Sequence, residues 1–133
     1  MKLPIEYHWL RAHKFIGLLP WWFIAPSDQD YLRLEYQKET GDDIYPFAKR
    51  QDRDDIAGFK IIEGKVKSTV ISVHLTWAGK REVDGFPLIK EYPDIFNWLT
   101  EEVVPETIDL MSEEDLLDIE KNIKKIGINT IDG

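Results

Sequence analysis

Hydrophobic spacing near the start of the chain predicts a helix followed by a short apolar segment. Ile5, Trp9 and Ala12 share one face at helical spacing, which predicts a helix over residues 4–15. Residues 21–24 are aromatic or apolar without interruption. We therefore expect a short buried strand or an apolar hook at residues 21–24.

A second helix is predicted to begin at Ser27, whose hydroxyl is a good N-cap. Asp28 and Asp30 follow in the first turn, where negative charge favours the helix dipole. Gly41 stands where a left-handed residue commonly ends a helix. The sequence thus predicts a helix between Ser27 and Gly41.

Alternating apolar positions in the middle of the chain predict strands. Three segments, residues 44–49, 56–62 and 66–75, are separated by short polar connections. Sequential strands with short connections are typical of an antiparallel meander. Residues 83–89, which contain a proline, are predicted to add a short edge strand.

Two further helices are predicted after the strands. The first covers residues 93–104 and is expected to end at Pro105. The second begins at Ser112, whose hydroxyl can cap the helix reciprocally with Asp115. The apolar face of the first helix is formed by Ile95, Phe96, Leu99 and Val103.

The order of helices, strands and helices predicts an α+β fold. We expect a largely antiparallel sheet of about four to five strands, packed by flanking helices. The 133 residues are predicted to form a single domain, 1–133, with residues 105–133 as a C-terminal helical extension.

Composition narrows the functional class. The chain has no cysteine, which excludes disulfides, thiol catalysis and zinc–thiolate sites. The net charge of −8 disfavours binding to nucleic acid and favours a basic protein partner. Residues 1–26 do not resemble a signal peptide, and the longest apolar run is too short to span a bilayer. We therefore expect a cytoplasmic protein that does not contact a membrane.

The most distinctive segment is residues 45–59, in which a dense charged turn lies between two apolar stretches. The order is aromatic-Pro-Phe-Ala-basic-Arg-Gln-Asp, followed by Arg-Asp-Asp-Ile-Ala-Gly-Phe. Aspartates suit such a turn because they accept nearby backbone N–H groups. Arg50 or Arg53 is expected to pair with these carboxylates and stiffen the turn.

This segment resembles the signature of bacterial members of the SUKH superfamily, relatives of the yeast regulator of cell-wall glucan synthesis. Residues 18–23 resemble the upstream Leu-Pro-Trp element of that superfamily, and Phe86 with residues 92–99 resembles its downstream aromatic and Trp-Leu element. The resemblance covers about residues 15–104. Arg53 departs from the pattern, which has Asn at that position.

The resemblance implies an α+β fold and, for many bacterial members, an immunity role. Such a protein neutralises a cognate toxin, often a nuclease, by binding to it. The resemblance implies no catalytic residue and no cofactor. An intracellular regulatory scaffold without a toxin partner is the main alternative.

Two metal-dependent alternatives arise from the acidic residues. Asp52, Asp54 and Asp55 could suggest a calcium loop, but the glycine and glutamate of an EF-hand are missing at the required spacing. Asp55, Glu63 and Lys65 match the spacing of a metal-dependent nuclease site. The sequence favours a salt-bridged turn and a hairpin turn instead, with no metal and no enzymatic activity.

The histidines do not indicate catalysis. His8 and His13 are five residues apart, so they do not share a helix face as a metal-binding pair would. His74 lies in a predicted strand without a recognisable serine or cysteine partner. No glycine-rich phosphate loop or nucleophile elbow is present.

The tryptophans offer candidates for a partner anchor. Trp21 and Trp22 cannot both face the core from one strand, and Trp98 lies off the main apolar face of its predicted helix. Trp77 follows the third strand in a predicted loop and is the preferred exposed anchor.

The sequence therefore predicts an immunity-type binding protein whose partner is a basic toxin domain. The predicted partner-binding residues are Asp52, Asp54, Asp55 and Trp77.

Overall fold

The described part of the chain is built on one six-stranded antiparallel sheet whose strands follow one another in chain order. The structure, a computed structural model, describes residues 2–77 and 87–125. The strands are β1 Gly17–Leu18, β2 Trp21–Phe23, β3 Asp43–Arg50, β4 Asp55–Ile62, β5 Lys65–His74 and β6 Ile89–Tyr92. The predicted α+β class with an antiparallel meander is confirmed. The prediction of four to five strands was close, and it missed β1 because two residues carry no readable alternation.

One face of the sheet is covered by helix α2, Pro26–Thr40. Its buried residues Leu32, Glu35, Tyr36 and Glu39 recur at helical spacing and face the sheet. Side chains of β3, β4 and β5 that point to this face complete an apolar cluster. The cluster contains Leu32, Tyr36, Ile44, Ile56, Ile71, Val73 and Leu75.

The opposite face is covered by helix α1, Ile5–Ala12, and by helix α3, Ile95–Trp98. Its core is mainly aromatic, and the rings meet edge to face or tilted, as their quadrupoles favour. The Phe47 and Phe59 ring centroids are 4.7 Å apart, and those of Trp21 and Trp98 are 5.3 Å apart. The buried cluster contains Trp21, Phe47, Ala48, Ala57, Phe59, Val70, Ile95, Trp98 and Val103.

The helical segment after β6 does not end at Pro105, contrary to the sequence prediction. Helix α3 continues into a π-helical turn, Leu99–Val103, and then into α4, Val104–Leu110, with Pro105 in the first turn of α4. Proline removes an N–H and crowds the preceding turn, and a widened turn accommodates both effects. The π turn therefore allows the helical segment to continue across the sheet.

Helix α3 buries a different face from the one predicted. The predicted apolar face included Phe96, but the Phe96 side chain is 47% exposed. Trp98, which the helical pattern placed off that face, is buried instead. Ile95, Trp98 and Glu102 are buried at the i, i+3 and i+7 spacing of a regular helix, so the prediction was wrong in the choice of face and not in the helical period.

The predictions for the two ends of α2 had different outcomes. Gly41 has φ 79° and ends the helix in the left-handed conformation, as predicted. The predicted N-cap at Ser27 was wrong, because α2 begins at Pro26 with Ala25 before it and without a capping side chain. Proline at the first helical position has the required φ and lacks an N–H that would be unpaired there.

The last helix, α5, extends from Glu113 to Lys125. The predicted reciprocal cap is confirmed, because Ser112 Oγ accepts a hydrogen bond from Asp115 N at 3.1 Å and donates one to Asp115 Oδ2 at 2.9 Å. The predicted edge strand at 83–89 lies mostly outside the described residues, and β6 begins at its last position, Ile89.

Among residues 2–77 and 87–125, no helix has the length and apolar character needed to cross a membrane.

Candidate functional site

The candidate site is the end of the sheet where residues 51–54 connect β3 to β4. We call residues 51–54 together with Trp77 the acidic end. The turn is fixed on both sides, because Gln51 N donates to Pro20 O at 2.9 Å and Leu75 N donates to Asp54 O at 2.9 Å. These bonds hold the turn against β2 on one side and against the end of β5 on the other.

Arg50, the last residue of β3, stiffens the turn through hydrogen bonds to Asp52. Its Nε and Nη2 donate to the two carboxylate oxygens of Asp52 at 2.6 and 3.1 Å, and Arg50 is only 8% exposed. Its Nη1 donates to Glu106 Oε2 at 2.9 Å, and Trp21 Nε1 donates to the same oxygen at 2.7 Å. The expected arginine–carboxylate pairing is thus present, and it also joins α4 to the sheet.

Asp52 and Asp54 are both exposed. Hydrogen bonding by the Arg50 guanidinium holds the pKa of Asp52 below its usual range, so Asp52 stays negatively charged near neutral pH. The two aspartates therefore present negative charge to solvent on a turn whose backbone is fixed.

Asp55 differs from the other two aspartates of the turn. Its side chain is only 14% exposed, and its Oδ1 lies 2.6 Å from His74 Nδ1. Arg53 lies 3.4 Å from its other oxygen. Asp55 therefore belongs to a partly buried ion-pair cluster and contributes less to the exposed acidic surface than Asp52 and Asp54 do.

A polar cavity of about 300 Å³ lies beside this cluster, on the sheet face that α3 and α4 cover. Ser72 Oγ donates to Glu102 Oε1 at 3.0 Å inside it. Burial raises the pKa of the Glu102 carboxyl, the hydrogen bond from Ser72 lowers it, and the charge of Glu106 raises it further, with a net increase. The cavity is lined by Arg53, Asp55, Ser72, Val73, His74, Leu88, Lys90, Glu102 and Glu106.

The cavity does not contain a recognisable nucleophile–base pair. Ser72 and His74 lie on the same face of β5, but the Ser72 hydroxyl donates to Glu102 and the His74 ring bonds to Asp55. Activation of a serine requires a hydrogen bond to its base. Among the described contacts, no hydrogen bond joins Ser72 to His74.

Trp77 follows β5 by three residues and is 43% exposed, as its predicted loop position implied. Its backbone has φ 60°, and its N–H donates to Glu39 Oε2 at 3.0 Å. Its ring stacks against Tyr31 of α2, with centroids 6.2 Å apart and planes inclined by 27°. The structure therefore fixes both the backbone and the ring of Trp77.

The structure separates the residues of the nuclease alternative. Asp55 begins β4 and Glu63 follows its last residue, so the two are roughly 25 Å apart along an extended strand. Lys65 lies with Glu63 at the far end of the sheet. A metal held by both carboxylates is therefore not possible in this fold.

The calcium alternative meets a similar difficulty, because Asp52 and Asp55 are already paired with Arg50 and His74. No group of three or more histidine and acidic side chains in residues 2–77 and 87–125 could hold a metal ion.

Sequence reasoning missed three side chains that organise the acidic end: Tyr31, Glu39 and Glu106. Glu39 had a detectable signal, because it falls on the buried face of α2 at helical spacing from Leu32 and Tyr36. Glu106 had none, since its role depends on the helix continuing past Pro105.

No protein-family model, no curated protein and no solved structure matches this chain.

Proposed function

We propose that this chain is a SUKH-like immunity protein that neutralises a basic toxin domain by direct contact in the cytoplasm. The resemblance of residues 45–59 to the SUKH signature supports the family, and the chemistry of the acidic end supports the mode of binding. The observation that carries the proposal is that Asp52, Asp54 and Trp77 are exposed on one fixed end of the sheet.

The proposed mechanism combines attraction and steric block. Exposed carboxylates accelerate encounter with a basic partner, because long-range attraction steers its approach. An exposed tryptophan supplies a large apolar area at small entropic cost once its position is fixed. Arg50 serves this mechanism by keeping Asp52 ionised and its carboxylate oriented.

The first test is reconstitution of the complex. The chain is expressed with an affinity tag in its native host, partners are identified by mass spectrometry, and the most abundant one is purified and remixed with the chain. The proposal expects a one-to-one complex with a basic toxin domain whose toxic activity is lost on binding. A partner that retains full activity in the complex, or a set of cell-envelope proteins in place of a toxin, would overturn it.

The second test compares two double variants with the same net charge. Asp52→Asn/Asp54→Asn should lower the association rate with the purified toxin domain about threefold to tenfold at low ionic strength, because charges at an interface mainly set the rate of encounter. Asp42→Asn/Glu63→Gln removes two exposed charges at the opposite end of the sheet. Equal effects of the two double variants on association, measured by stopped flow at several salt concentrations, would rule out the acidic end as the interface.

A further inference from the structure

Trp77 and Tyr31 form an exposed aromatic pair beside the acidic end. Their rings are stacked, and the side chains are 43% and 44% exposed. Leu34, one turn after Tyr31 on the outward side of α2, is 50% exposed. Single exposed apolar side chains are ordinary, whereas a contiguous exposed group such as this one is typical of a surface that contacts another molecule.

Glu39 holds this pair in place from the interior. Its carboxylate is buried and accepts three hydrogen bonds, from Thr76 N and Thr76 Oγ at 2.8 Å each and from Trp77 N at 3.0 Å. These bonds fix the backbone of Trp77, whose φ of 60° is unusual for a bulky residue. Such a conformation persists only where the surroundings impose it.

Acidic residues flank the pair on both of its segments. Asp28 and Asp30 precede Tyr31 on α2, and Asp54 is joined through its carbonyl to Leu75, two residues before Trp77. An aromatic face attracts a cation through its quadrupole, and nearby carboxylates strengthen that preference. Arginine suits such a site better than lysine because its planar guanidinium can stack on a ring and pair with a carboxylate at once.

A second exposed tryptophan provides an internal comparison. Trp9 is 60% exposed and stacks on His13, with ring centroids 5.7 Å apart. Its neighbours include basic Arg11 and Lys14 and acidic Glu6, so the charge near the Trp9 ring is mixed. Ring exposure is thus common to both sites, and the acidic residues near Trp77 distinguish the Trp77 site.

We propose that the stacked pair of Tyr31 and Trp77 is the subsite for an arginine side chain of the protein partner, with Glu39 as the positioning residue that holds Trp77 there. This inference rests on the proposed function, because it names the partner chemistry that the acidic end would bind.

The test needs no toxin. A blocked hexa-arginine peptide is titrated into the full chain, and the tryptophan indole N–H signals are followed by NMR, with the Trp77 signal assigned by its loss in Trp77→Phe. The Trp77 signal should shift saturably while the Trp9 signal stays in place. Hexa-lysine should bind more weakly, and salt should weaken both peptides.

Substitutions in the aromatic pair are expected to change the affinity for hexa-arginine by a modest factor. Trp77→Ala and Tyr31→Ala should each weaken hexa-arginine binding about twofold to fivefold, the range expected for an exposed cation–π contact. Trp77→Phe should fall between the wild type and Trp77→Ala. The matched control, Trp9→Ala, should leave the affinity unchanged.

Positioning by Glu39 requires a separate readout. Glu39→Gln should move the Trp77 indole signal before any peptide is added and should weaken peptide binding. In the double variant Glu39→Gln/Trp77→Ala, the peptide should bind no more weakly than in Trp77→Ala alone, because the two residues act through one contact. An equal weakening by Glu39→Gln in the presence and absence of Trp77 would show a long-range charge effect and overturn the positioning role.

The subsite is overturned if hexa-arginine binds with the Trp77 signal unmoved, or if Trp9→Ala weakens binding as much as Trp77→Ala does. Either result leaves the immunity proposal standing, since the reconstitution with the toxin tests that proposal independently. Conversely, a partner that is not a toxin would overturn the immunity role without changing the peptide titration.

Discussion

Two buried glutamates on opposite faces of the sheet have pKa values displaced in opposite directions. Glu39 is 1% exposed and Glu102 is 7% exposed. Burial tends to raise both pKa values, yet the hydrogen bond shared with Glu35 and those donated by Thr76 and Trp77 bring the pKa of Glu39 below its usual range. For Glu102, burial and the charge of Glu106 outweigh the hydrogen bond from Ser72, and the pKa rises.

The comparison teaches that low exposure alone does not decide the charge of a carboxylate, which depends on the balance of desolvation, neighbouring charge and aimed hydrogen-bond donors. Ionised Glu39 is favoured by the fold and, in return, fixes the start of the segment after β5. Ionised Glu102 is disfavoured, because it is buried and lies near the negative charge of Glu106. One carboxylate therefore supports the native structure at neutral pH and the other opposes it.

The largest effect is expected for Glu39→Ala. This variant leaves the Thr76 N–H, the Thr76 hydroxyl and the Trp77 N–H without their acceptor, and each donor left unsatisfied away from water costs about 1–3 kcal/mol. We expect the free energy of unfolding at pH 7 to fall by about 3 kcal/mol, measured by urea denaturation. Glu102→Ala is the matched control on the other face, and an equal or larger loss in that variant would contradict the comparison.

Glu39→Gln is expected to lower the free energy of unfolding by a smaller amount, on the order of 1–2 kcal/mol at pH 7, with a characteristic pH dependence. Because the folded-state pKa of Glu39 lies below its usual 4.5, its stabilisation is complete above that value and is lost as the pH falls through the lower folded-state value. Urea denaturation from pH 7 to pH 3 should therefore show the variant and the wild type converging in acid. A constant difference across this range would exclude a charge contribution from Glu39.

Glu102→Gln is expected to change the free energy of unfolding least, and to raise it instead of lowering it. Its raised folded-state pKa means that Glu102 favours the fold when protonated, below its usual 4.5, and that this contribution is lost as the pH rises through the higher folded-state value. Replacing the charge with an amide should raise stability at pH 7 by up to about 1 kcal/mol, the scale of one buried polar contact. The gain should vanish in acid, and a destabilised variant at pH 7 would show that ionised Glu102 is better solvated than its burial implies.

Local patterns predicted the sheet better than they predicted the packing around it. The strands of the meander could be read because apolar alternation and turn residues are local signals. The burial of Trp98 in place of Phe96 was not read correctly, because both residues are large and apolar and the contacts with Trp21 and Phe47, which are distant in sequence, select Trp98.

The same division holds at the acidic end. The charged turn and the exposure of Trp77 were predictable from residues next to each other in sequence. The burial of Glu39 was readable from its helical spacing, but its bond to Trp77 and the bond of Glu106 to Arg50 were not, because each joins segments more than thirty residues apart. The role of the four predicted partner-binding residues stays a prediction.

The hydrogen bonds that fix both sides of the turn at residues 51–54 have an evolutionary consequence. An inserted or deleted residue would break the bond from Gln51 to Pro20 or the one from Leu75 to Asp54. Substitution of the outward side chains at Asp52 and Asp54 would break neither. A lineage built on this scaffold can therefore acquire new binding preferences by exchanging side chains at constant turn length, and its diversity should appear as variable residues within an alignment free of gaps.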